Sequence, residues 1–335
     1  MIRSRGLRPR LVLIGAVHEA APAFDVLVSS DRVHLAAVVT PIMRAGGRLA
    51  GAVNLTAAAA AAEVAVIHSD DTNDPCVVDA VAALDPDLIV VVGWPQLIRT
   101  ELLSVPRHGC VGFHASLLPH HRGHAPINWA ILRGETRTGN TMFMLDASAD
   151  TGDIVDQRPI PIGPRDTCDS VYRYVGQVGA NMLSAHLDGL ATGTAPRHRQ
   201  PAGVGDVLPR RTPAMGILDW NQSPRRVHDW VRALTKPYPG AFTTLNGRRV
   251  MVWASALPFD DEPPGTPGEI MGFERGGIRV GTRDGSILIT RMSNERRPEH
   301  ARRWLRRARV QVGARFDAVS PQTVRWARGE GSCPR

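Results

Sequence analysis

A histidine and an aspartate in one stretch of the chain are the residues whose types best suit acid–base chemistry. His114 lies near the end of the apolar segment Gly109–Ala115, which predicts a buried strand. Asp150 follows 36 positions later in a predicted loop with Thr151 and Gly152. Because ligand sites in open α/β sheets form where strands end, two loops at one sheet edge can bring this pair together. A carboxylate favours the imidazolium form and fixes its orientation, which suits proton transfer near neutral pH.

Other polar residues crowd the turn between Ser116 and Pro126. Four histidines occur in or beside it: His108, His120, His121 and His124. Their spacing matches no common zinc-ligand pattern and no CxxC pair accompanies them, so no metal is expected. Arg122 suits a bidentate contact with phosphate or carboxylate, and equally suits hydrogen bonds to the backbone that pin the turn. Ser116 lacks the GxSxG context of a hydrolase nucleophile, so capping of the turn is its expected role.

The elements that must position these residues indicate an α/β fold. The apolar runs Leu11–Ala16, His34–Thr40 and Asp87–Gly93 alternate with short helical segments. This alternation predicts a doubly wound, mostly parallel, Rossmann-like sheet. Asp74-Pro75 suits a helix start, and Thr56 is expected to cap the alanine-rich helix that follows it.

Two nucleotide-binding motifs are missing from this α/β pattern. Gly15, after the first strand, is followed by Ala-Val-His, so no GxGxxG supports a nicotinamide dinucleotide. Lys236 is the only lysine, which excludes the phosphate-binding loop GxxxxGK[ST].

A second region begins after the segment Gly193–Pro209, which is rich in Gly, Pro and Arg. A helix is predicted over Pro224–Leu234, and short apolar runs follow it. Asn246-Gly247 and Asp284-Gly285 are hairpin signals between those runs, so a small antiparallel β-barrel of OB type is expected. The predicted organisation is a catalytic domain over 1–195, a linker over 196–211, a C-terminal OB-like domain over 212–320 and a tail over 321–335.

Length and composition agree with two globular domains. The 335 residues carry 40 basic and 32 acidic side chains, a net charge of +8, with a pI near 10.2. Such a charge taken alone indicates nucleic acid or an anionic substrate. However, 39 of the 40 basic residues are arginine, which indicates a compositional bias. No apolar run reaches the roughly 18 residues of a membrane span, and the first run is too short for a signal peptide.

The cysteines give an expectation about the compartment. Four are scattered along the chain without a CxxC pair: Cys76, Cys110, Cys168 and Cys333. This usage predicts free, mostly buried thiols in a reducing cytoplasm.

A longer motif surrounds the His114 segment. Its matching positions are His114-Ala-Ser-Leu-Leu-Pro119, Arg122-Gly123, Ala125-Pro126, Asn128-Trp129, Gly134, Thr138-Gly139, Thr141 and Asp150-x-Gly152. This pattern resembles the folate-dependent formyltransferase family, which includes methionyl-tRNA, glycinamide ribonucleotide and sugar N-formyltransferases. Val91–Gln96 and the stretch Arg211–Phe242 extend the resemblance, which covers about residues 10–290.

The resemblance implies N-formyl transfer from the co-substrate 10-formyltetrahydrofolate to an amine. By position, His114 stabilises the developing oxyanion or relays a proton, and Asp150 tunes the histidine. The implied folate-binding residues are Gln96, Leu97, Ile98, Asp146, Ala149 and Asp150. The implied acceptor-binding residues are Gly112, Ser116, Arg122 and His124.

The sequence departs from the family pattern at Gly112. Family members carry an asparagine there, two residues before the histidine, whose amide donates to the oxyanion. Three interpretations stay open: another donor such as a backbone N–H or a water, slower but unchanged chemistry, or a different acyl-group reaction that includes hydrolysis of the formyl donor. A glycine is also expected to widen the site and to admit a bulkier amine.

Three functions follow in order of preference. The first is formylation of a small-molecule amine on a nucleotide-linked amino sugar or a secondary-metabolite precursor, because Pro126–Trp129 resembles sugar-modifying members such as aminoarabinose formyltransferase. The second is methionyl-tRNA formyltransferase, which is disfavoured because the loop Ile42–Val53 holds only Arg44 and Arg48 as basic residues. Nucleic acid and membrane partners are therefore not expected, and the resemblance allows a homodimer. The third is a folate- or nucleotide-binding protein with little catalysis, motivated by Gly112.

Overall fold

The computed structural model describes residues 8–42, 49–257, 265–294 and 298–334. Arg44 and Arg48, the two basic residues of the loop Ile42–Val53, lie outside these ranges. Within the described ranges, no helix combines the length and the apolar character that a membrane crossing requires.

The chain forms two compact units that interleave along the sequence. Unit 1 takes the residues up to Gly123, Arg137–Pro161 and Tyr172–Val207. Unit 2 takes His124–Thr136, Ile162–Val171 and the residues from Leu208 onward. The domain boundaries predicted from composition stay a proposal.

Unit 1 is built on a seven-stranded sheet in the order β3-β2-β1-β4-β5-β7-β8. Its strands are β1 (Arg10–Gly15), β2 (His34–Thr40), β3 (Ala65–His68), β4 (Leu88–Val92), β5 (Cys110–His114), β7 (Arg137–Met144) and β8 (Ile154–Pro161). Strands β1 to β5 pair in parallel, whereas β7 runs antiparallel to both β5 and β8. The predicted mostly parallel α/β sheet is confirmed.

Helices cover both faces of this sheet because its central strands are apolar on both sides. The helices are α1 (Ala20–Ser29), α2 (Thr56–Ala61), α3 (Pro75–Ala82), α4 (Thr100–Leu103) and α6 (Cys168–Thr192), the last of which runs from unit 2 into unit 1. Asp74 caps α3 by accepting from the backbone N–H of Cys76, as predicted. The prediction for Thr56 is wrong. Thr56 lies inside α2, and the side-chain oxygen of Asn54 accepts from its backbone N–H at 2.8 Å.

The alternation of side chains along β5 decides which face holds the candidate site. Val111 and Phe113 pack in the core that includes Phe24 of α1 and Leu183 of α6. Cys110 packs in the opposite core, formed with α3 and α4. Because side chains alternate along a strand, Gly112 and His114 share the face of Cys110.

Unit 2 contains helices and an antiparallel sheet. Its helices are α5 (Pro126–Arg133), α7 (Pro224–Leu234), α8 (Ala301–Ala308) and α9 (Pro321–Ala327). Its sheet has the order β10-β11-β14-β13-β12, with β15 beside β14. These strands are β10 (Ala241–Leu245), β11 (Arg248–Ala256), β12 (Ile270–Glu274), β13 (Gly277–Thr282), β14 (Gly285–Ser293) and β15 (Glu299–His300). The predicted antiparallel C-terminal β domain is confirmed, and a helix, α9, stands where a tail was expected.

Two short strands complete the structure. β6 (Arg122–Gly123) pairs with β9 (Val207–Leu208).

All four cysteines are free, and Cys110 and Cys168 are buried whereas Cys76 and Cys333 are exposed. Burial raises the pKa of both Cys110 and Cys168 to about 12. Two of the four thiols are thus buried, so the prediction that most of them are buried is wrong.

Candidate active site

The end of β5 presents His114 between two hydrogen-bond acceptors. Its Nδ1 lies 3.4 Å from Oδ1 of Asp150, and its Nε2 lies 2.7 Å from the backbone carbonyl oxygen of His121. A carbonyl oxygen only accepts, so Nε2 donates in this contact. The structure therefore brings the two predicted catalytic residues together.

The loop that follows β7 delivers Asp150 by an unexpected route. Because β7 is antiparallel to β5, its last residue lies beside the start of β5. Leu145 therefore contacts Gly112, and the loop then returns to place Asp150 at His114. The mostly parallel sheet predicted from the sequence favours two loops that rise from the same sheet edge.

Two features hold this loop in place. A Cβ atom on Gly152 would lie 1.7 Å from the carbonyl oxygen of Met144, so the loop closes only with glycine at this position. Asp150 itself adopts a left-handed backbone with φ +58°. Its Oδ2 accepts from the backbone N–H of Gly123 at 2.8 Å. The carboxylate is thus oriented by the turn that follows His114.

Gln200, in the predicted linker, ties the Asp150 loop to the same turn. Its Nε2 donates to the carbonyl oxygens of Asp150 at 3.0 Å and of Gly152 at 2.8 Å. Its Oε1 accepts from Nη2 of Arg122 at 2.8 Å. Gln200 was not predicted as a site residue, because a glutamine in a Gly-, Pro- and Arg-rich segment gives no indication of a distant partner. Arg122 thus uses part of its guanidinium on a side chain of the predicted linker, and both of its predicted roles, the anion contact and the backbone hydrogen bonds, stay predictions.

Asp206, also in the predicted linker, supports the second acceptor of His114. Its Oδ1 accepts from the backbone N–H of His121 at 2.7 Å. Its backbone oxygen accepts from the N–H of Arg122 at 3.0 Å. These bonds hold the left-handed His121, φ +59°, whose carbonyl faces His114. No feature of the sequence indicated this role.

An apolar side chain fills the space beside Gly112. A Cβ atom built on Gly112 would lie 2.5 Å from Cδ2 of Leu145 and 3.2 Å from its Cγ. The expectation that glycine widens the site is therefore wrong, since Leu145 takes the room an asparagine would need. The three heavy atoms nearest to that Cβ position all belong to the hydrocarbon side chain of Leu145.

Two predicted acceptor-binding residues make hydrogen bonds within the protein, and their role toward an acceptor stays a prediction. The hydroxyl of the buried Ser116 donates to the carbonyl of His120 at 2.7 Å, inside the turn. His124 belongs to unit 2, where its backbone N–H donates to the carbonyl of Leu208 at 3.4 Å. Among the described residues, no group of three or more His, Cys, Asp or Glu side chains is placed to hold a metal ion.

The predicted folate-binding residues follow β4, which neighbours β5 in the sheet. Leu97 is 52% exposed, and Gln96 accepts from Nε1 of Trp94 at 3.3 Å. Ile98 is only 4% exposed and packs in the core with α3 and α4, so its side chain offers nothing to a ligand.

The other predicted folate-binding residues lie in the loop after β7. Asp146 and Ala149 are exposed. The Asp146 carboxylate accepts from the Thr151 hydroxyl at 2.8 Å. Leu97 and residues 146–149 are thus exposed, and their contact with a folate stays a prediction.

Both regions of the chain match known families. Residues 10–187 match the family described as "Formyl transferase", and residues 210–309 match "Formyl transferase, C-terminal domain". The chain is 38% identical over 290 residues to the methionyl-tRNA formyltransferase of Geobacter sulfurreducens. The aligned residues make up 86% of this chain and 90% of that protein. The chain belongs to the formyl transferase family. Members of this family take the formyl group from formyl-tetrahydrofolate.

Solved structures share the fold of this formyl transferase. HypX from Aquifex aeolicus in complex with tetrahydrofolic acid matches with a TM-score of 0.63 and 21% identity, over 93% of this chain. This chain spans about half of HypX, 49% of its length. WlaRD, a sugar 3N-formyl transferase, matches with a TM-score of 0.59 and 16% identity, over 85% of this chain and 97% of WlaRD. At these identities the likeness establishes the fold alone.

Proposed function

We propose that this formyl transferase moves the formyl group of 10-formyltetrahydrofolate to the amino group of methionyl-tRNA. The observation that carries the proposal is the similarity to a methionyl-tRNA formyltransferase at 38% identity over 86% of the chain. A second such enzyme, from Syntrophus aciditrophicus, is 32% identical over 86% of the chain and 92% of its own length. This proposal replaces the preference for a small amine and reverses the expectation that nucleic acid is not a partner.

The residues behind the small-amine preference serve packing. Nδ2 of Asn128 donates to the carbonyl of Ala233 at 2.6 Å, and Nε1 of Trp129 donates to the carbonyl of Pro209 at 3.0 Å. Both side chains are buried within unit 2. Their identities therefore reflect the interior of unit 2, and they carry no information on the acceptor.

An exposed basic surface in unit 2 suits an RNA backbone. Helix α8 buries Trp304 and Leu305, while Arg303 and Arg306 are exposed. Arg307 is also exposed and pairs with Glu299. Exposed arginines on one helix neutralise phosphates and release counterions, which favours binding of nucleic acid over a neutral acceptor.

The proposed reaction needs one proton relay and one site for negative charge. The amino nitrogen forms a bond to the formyl carbon while the bond from that carbon to N10 of the folate breaks. The proton lost by the amine ends on N10. His114 stabilises the negative charge that develops on the formyl oxygen, or carries the proton, and Asp150 orients the imidazole. Bound formyl-tetrahydrofolate supplies the activated formyl group.

An acceptor assay tests this proposal. Purified protein and 10-formyltetrahydrofolate are incubated with methionyl-tRNA, with a nucleotide-linked amino sugar, or with no acceptor, and both tetrahydrofolate and formylated product are measured. The expected result is formylmethionyl-tRNA, dependent on His114, and little product elsewhere. Formylation of the amino sugar without formylmethionyl-tRNA would overturn the proposal. Tetrahydrofolate release without an acceptor would instead identify a hydrolase, the reaction that Gly112 left open.

A further inference from the structure

Unit 2 contains a cavity of about 390 Å³ that takes no part in the proposed reaction. It lies among α5, α7 and α9 together with the segments 217–222 and 328–330. His114 and Asp150, in contrast, belong to unit 1. Pockets of roughly 300–1,000 Å³ are the usual size of small-molecule sites. The cavity can therefore hold a ligand of its own.

The two tryptophans that line this cavity pack against one arginine side chain. The guanidinium of Arg211 lies over the ring of Trp129 at 4.5 Å and over that of Trp230 at 5.5 Å. It donates to the carbonyl oxygens of Ala327 at 3.1 Å and Met215 at 2.8 Å. Burial lowers the pKa of Arg211 to about 10, so the group stays charged at neutral pH. A buried cation thus joins the two tryptophans to the end of α9.

The chain leaving α9 closes one side of the cavity. Gly329 has φ +81°, and a Cβ atom there would lie 2.8 Å from Cη2 of Trp129 and 2.9 Å from Cγ of Pro209. This close approach carries Arg328 and Glu330 into the lining. Helix α9 and the residues after it lie beyond the part of the chain that matches the C-terminal family, which ends at 309. The cavity is thus completed by a segment outside the shared family region.

The lining is rich in hydrogen-bond donors. Three arginines from different elements line it: Arg133, Arg226 and Arg328. Nε1 of Trp230 is buried and makes no hydrogen bond to any residue in the described part of the chain. Of the two acids in the lining, Asp219 already accepts from Gln222 at 2.7 Å and lies 3.8 Å from Arg328. Donors in excess over acceptors favour a ligand that is anionic and rich in acceptors.

We propose that this cavity is a second binding site, and that it takes a nucleoside monophosphate unit. The phosphate is recognised by the arginines of the lining, since a guanidinium matches phosphate in a bidentate manner. The base packs against Trp230, whose N–H gains an acceptor on the base or the sugar. A free nucleotide and a nucleotide within an RNA chain share this chemistry. The proposal does not depend on which amine the enzyme formylates.

Binding measurements with matched variants test the site. Calorimetry is performed with AMP, with adenosine as a ligand without phosphate, and with a short single-stranded oligoadenylate. Arg328→Gln removes one lining guanidinium, and Val324→Phe fills the cavity without changing its charge. Arg325→Gln is the control, because Arg325 is exposed, lies on α9 next to Val324 and is not part of the lining. Thermal unfolding and the rate of formyl transfer are measured for each variant.

The expected result is saturable binding of AMP or of the oligoadenylate but not of adenosine. The dissociation constant should rise about tenfold in Arg328→Gln and in Val324→Phe and stay within about twofold in Arg325→Gln. Binding of AMP identifies a free nucleotide, and binding of the oligoadenylate alone identifies RNA. Absence of binding to both, or equal binding in all three variants, would overturn the proposal. If the rate of formyl transfer is unchanged in these variants, failure of this proposal is distinguishable from failure of the proposed function.

Discussion

Two positions on one face of β5, His114 and Gly112, are built in opposite ways. On the polar side, at His114, Asp150 and the carbonyl of His121 face the ring nitrogens, and Gln200 ties the Asp150 loop to the neighbouring turn. On the apolar side, two residues earlier, Gly112 has the side chain of Leu145 beside it. The site therefore combines an imidazole held by polar contacts with a position that offers no side-chain donor. For the proposed formyl transfer, we expect His114 to carry most of the stabilisation of the negative charge.

Removal of the imidazole is expected to have the largest effect. In His114→Ala the rate of formyl transfer should fall roughly 1,000-fold, because the group that stabilises charge or relays the proton is lost. The measurement is the single-turnover rate at saturating 10-formyltetrahydrofolate. His120→Ala is the matched control, since the side chain is exposed and the hydrogen bonds that His120 makes in the turn come from its backbone. A rate in His114→Ala within about tenfold of the control would remove His114 from the chemistry.

Loss of Gln200 should weaken the polar side without removing it. Gln200→Ala leaves the carbonyls of Asp150 and Gly152 without their side-chain donor, which should cost about 1–3 kcal/mol of unfolding free energy. The rate should fall about tenfold because the Asp150 loop is held less firmly. Denaturant unfolding and single-turnover kinetics measure the two effects. Gln177→Ala, at an exposed glutamine of α6, should change neither, and equal results for both variants would show that Gln200 positions nothing.

The apolar side can be tested by restoring the family's residue. Gly112→Asn alone should lower the unfolding free energy by about 1–3 kcal/mol, since its Cβ would meet Leu145. Combined with Leu145→Ala it should recover most of that loss and transfer the formyl group faster than Leu145→Ala alone. Folate binding should persist in both. Additive changes in stability across this double-mutant cycle would show that Leu145 does not occupy the position.

The fold was predictable where local signals and long-range packing agree. The apolar runs that became β1, β2 and β4 and the proline start of α7 at Pro224 needed no knowledge of distant contacts. Thr56 failed as a cap because Asn54, two residues earlier, offers the same chemistry with a side chain that reaches the backbone N–H. Such competition between neighbouring polar residues is decided by backbone geometry.

The candidate site was predictable only as far as its residues form one continuous motif. His114 and Asp150 belong to that motif. Gln200 and Asp206 act from a segment more than 45 positions beyond Asp150, and nothing in their local sequence reveals their partners. The contact of Leu145 with position 112 depends on the antiparallel pairing of β7 with β5, a pairing that the predicted mostly parallel sheet did not specify. The register of strand pairing, which residue spacing along the sequence does not reveal, therefore determines these contacts.

A double-mutant cycle on the single-turnover rate of formyl transfer examines whether Asp150 acts through His114. Asp150→Asn suits the experiment because asparagine tolerates the left-handed backbone at this position. We expect a loss of roughly 10- to 100-fold for Asp150→Asn in the wild-type background and no further loss in the His114→Ala background. An equal loss in both backgrounds would show that the carboxylate acts without the imidazole.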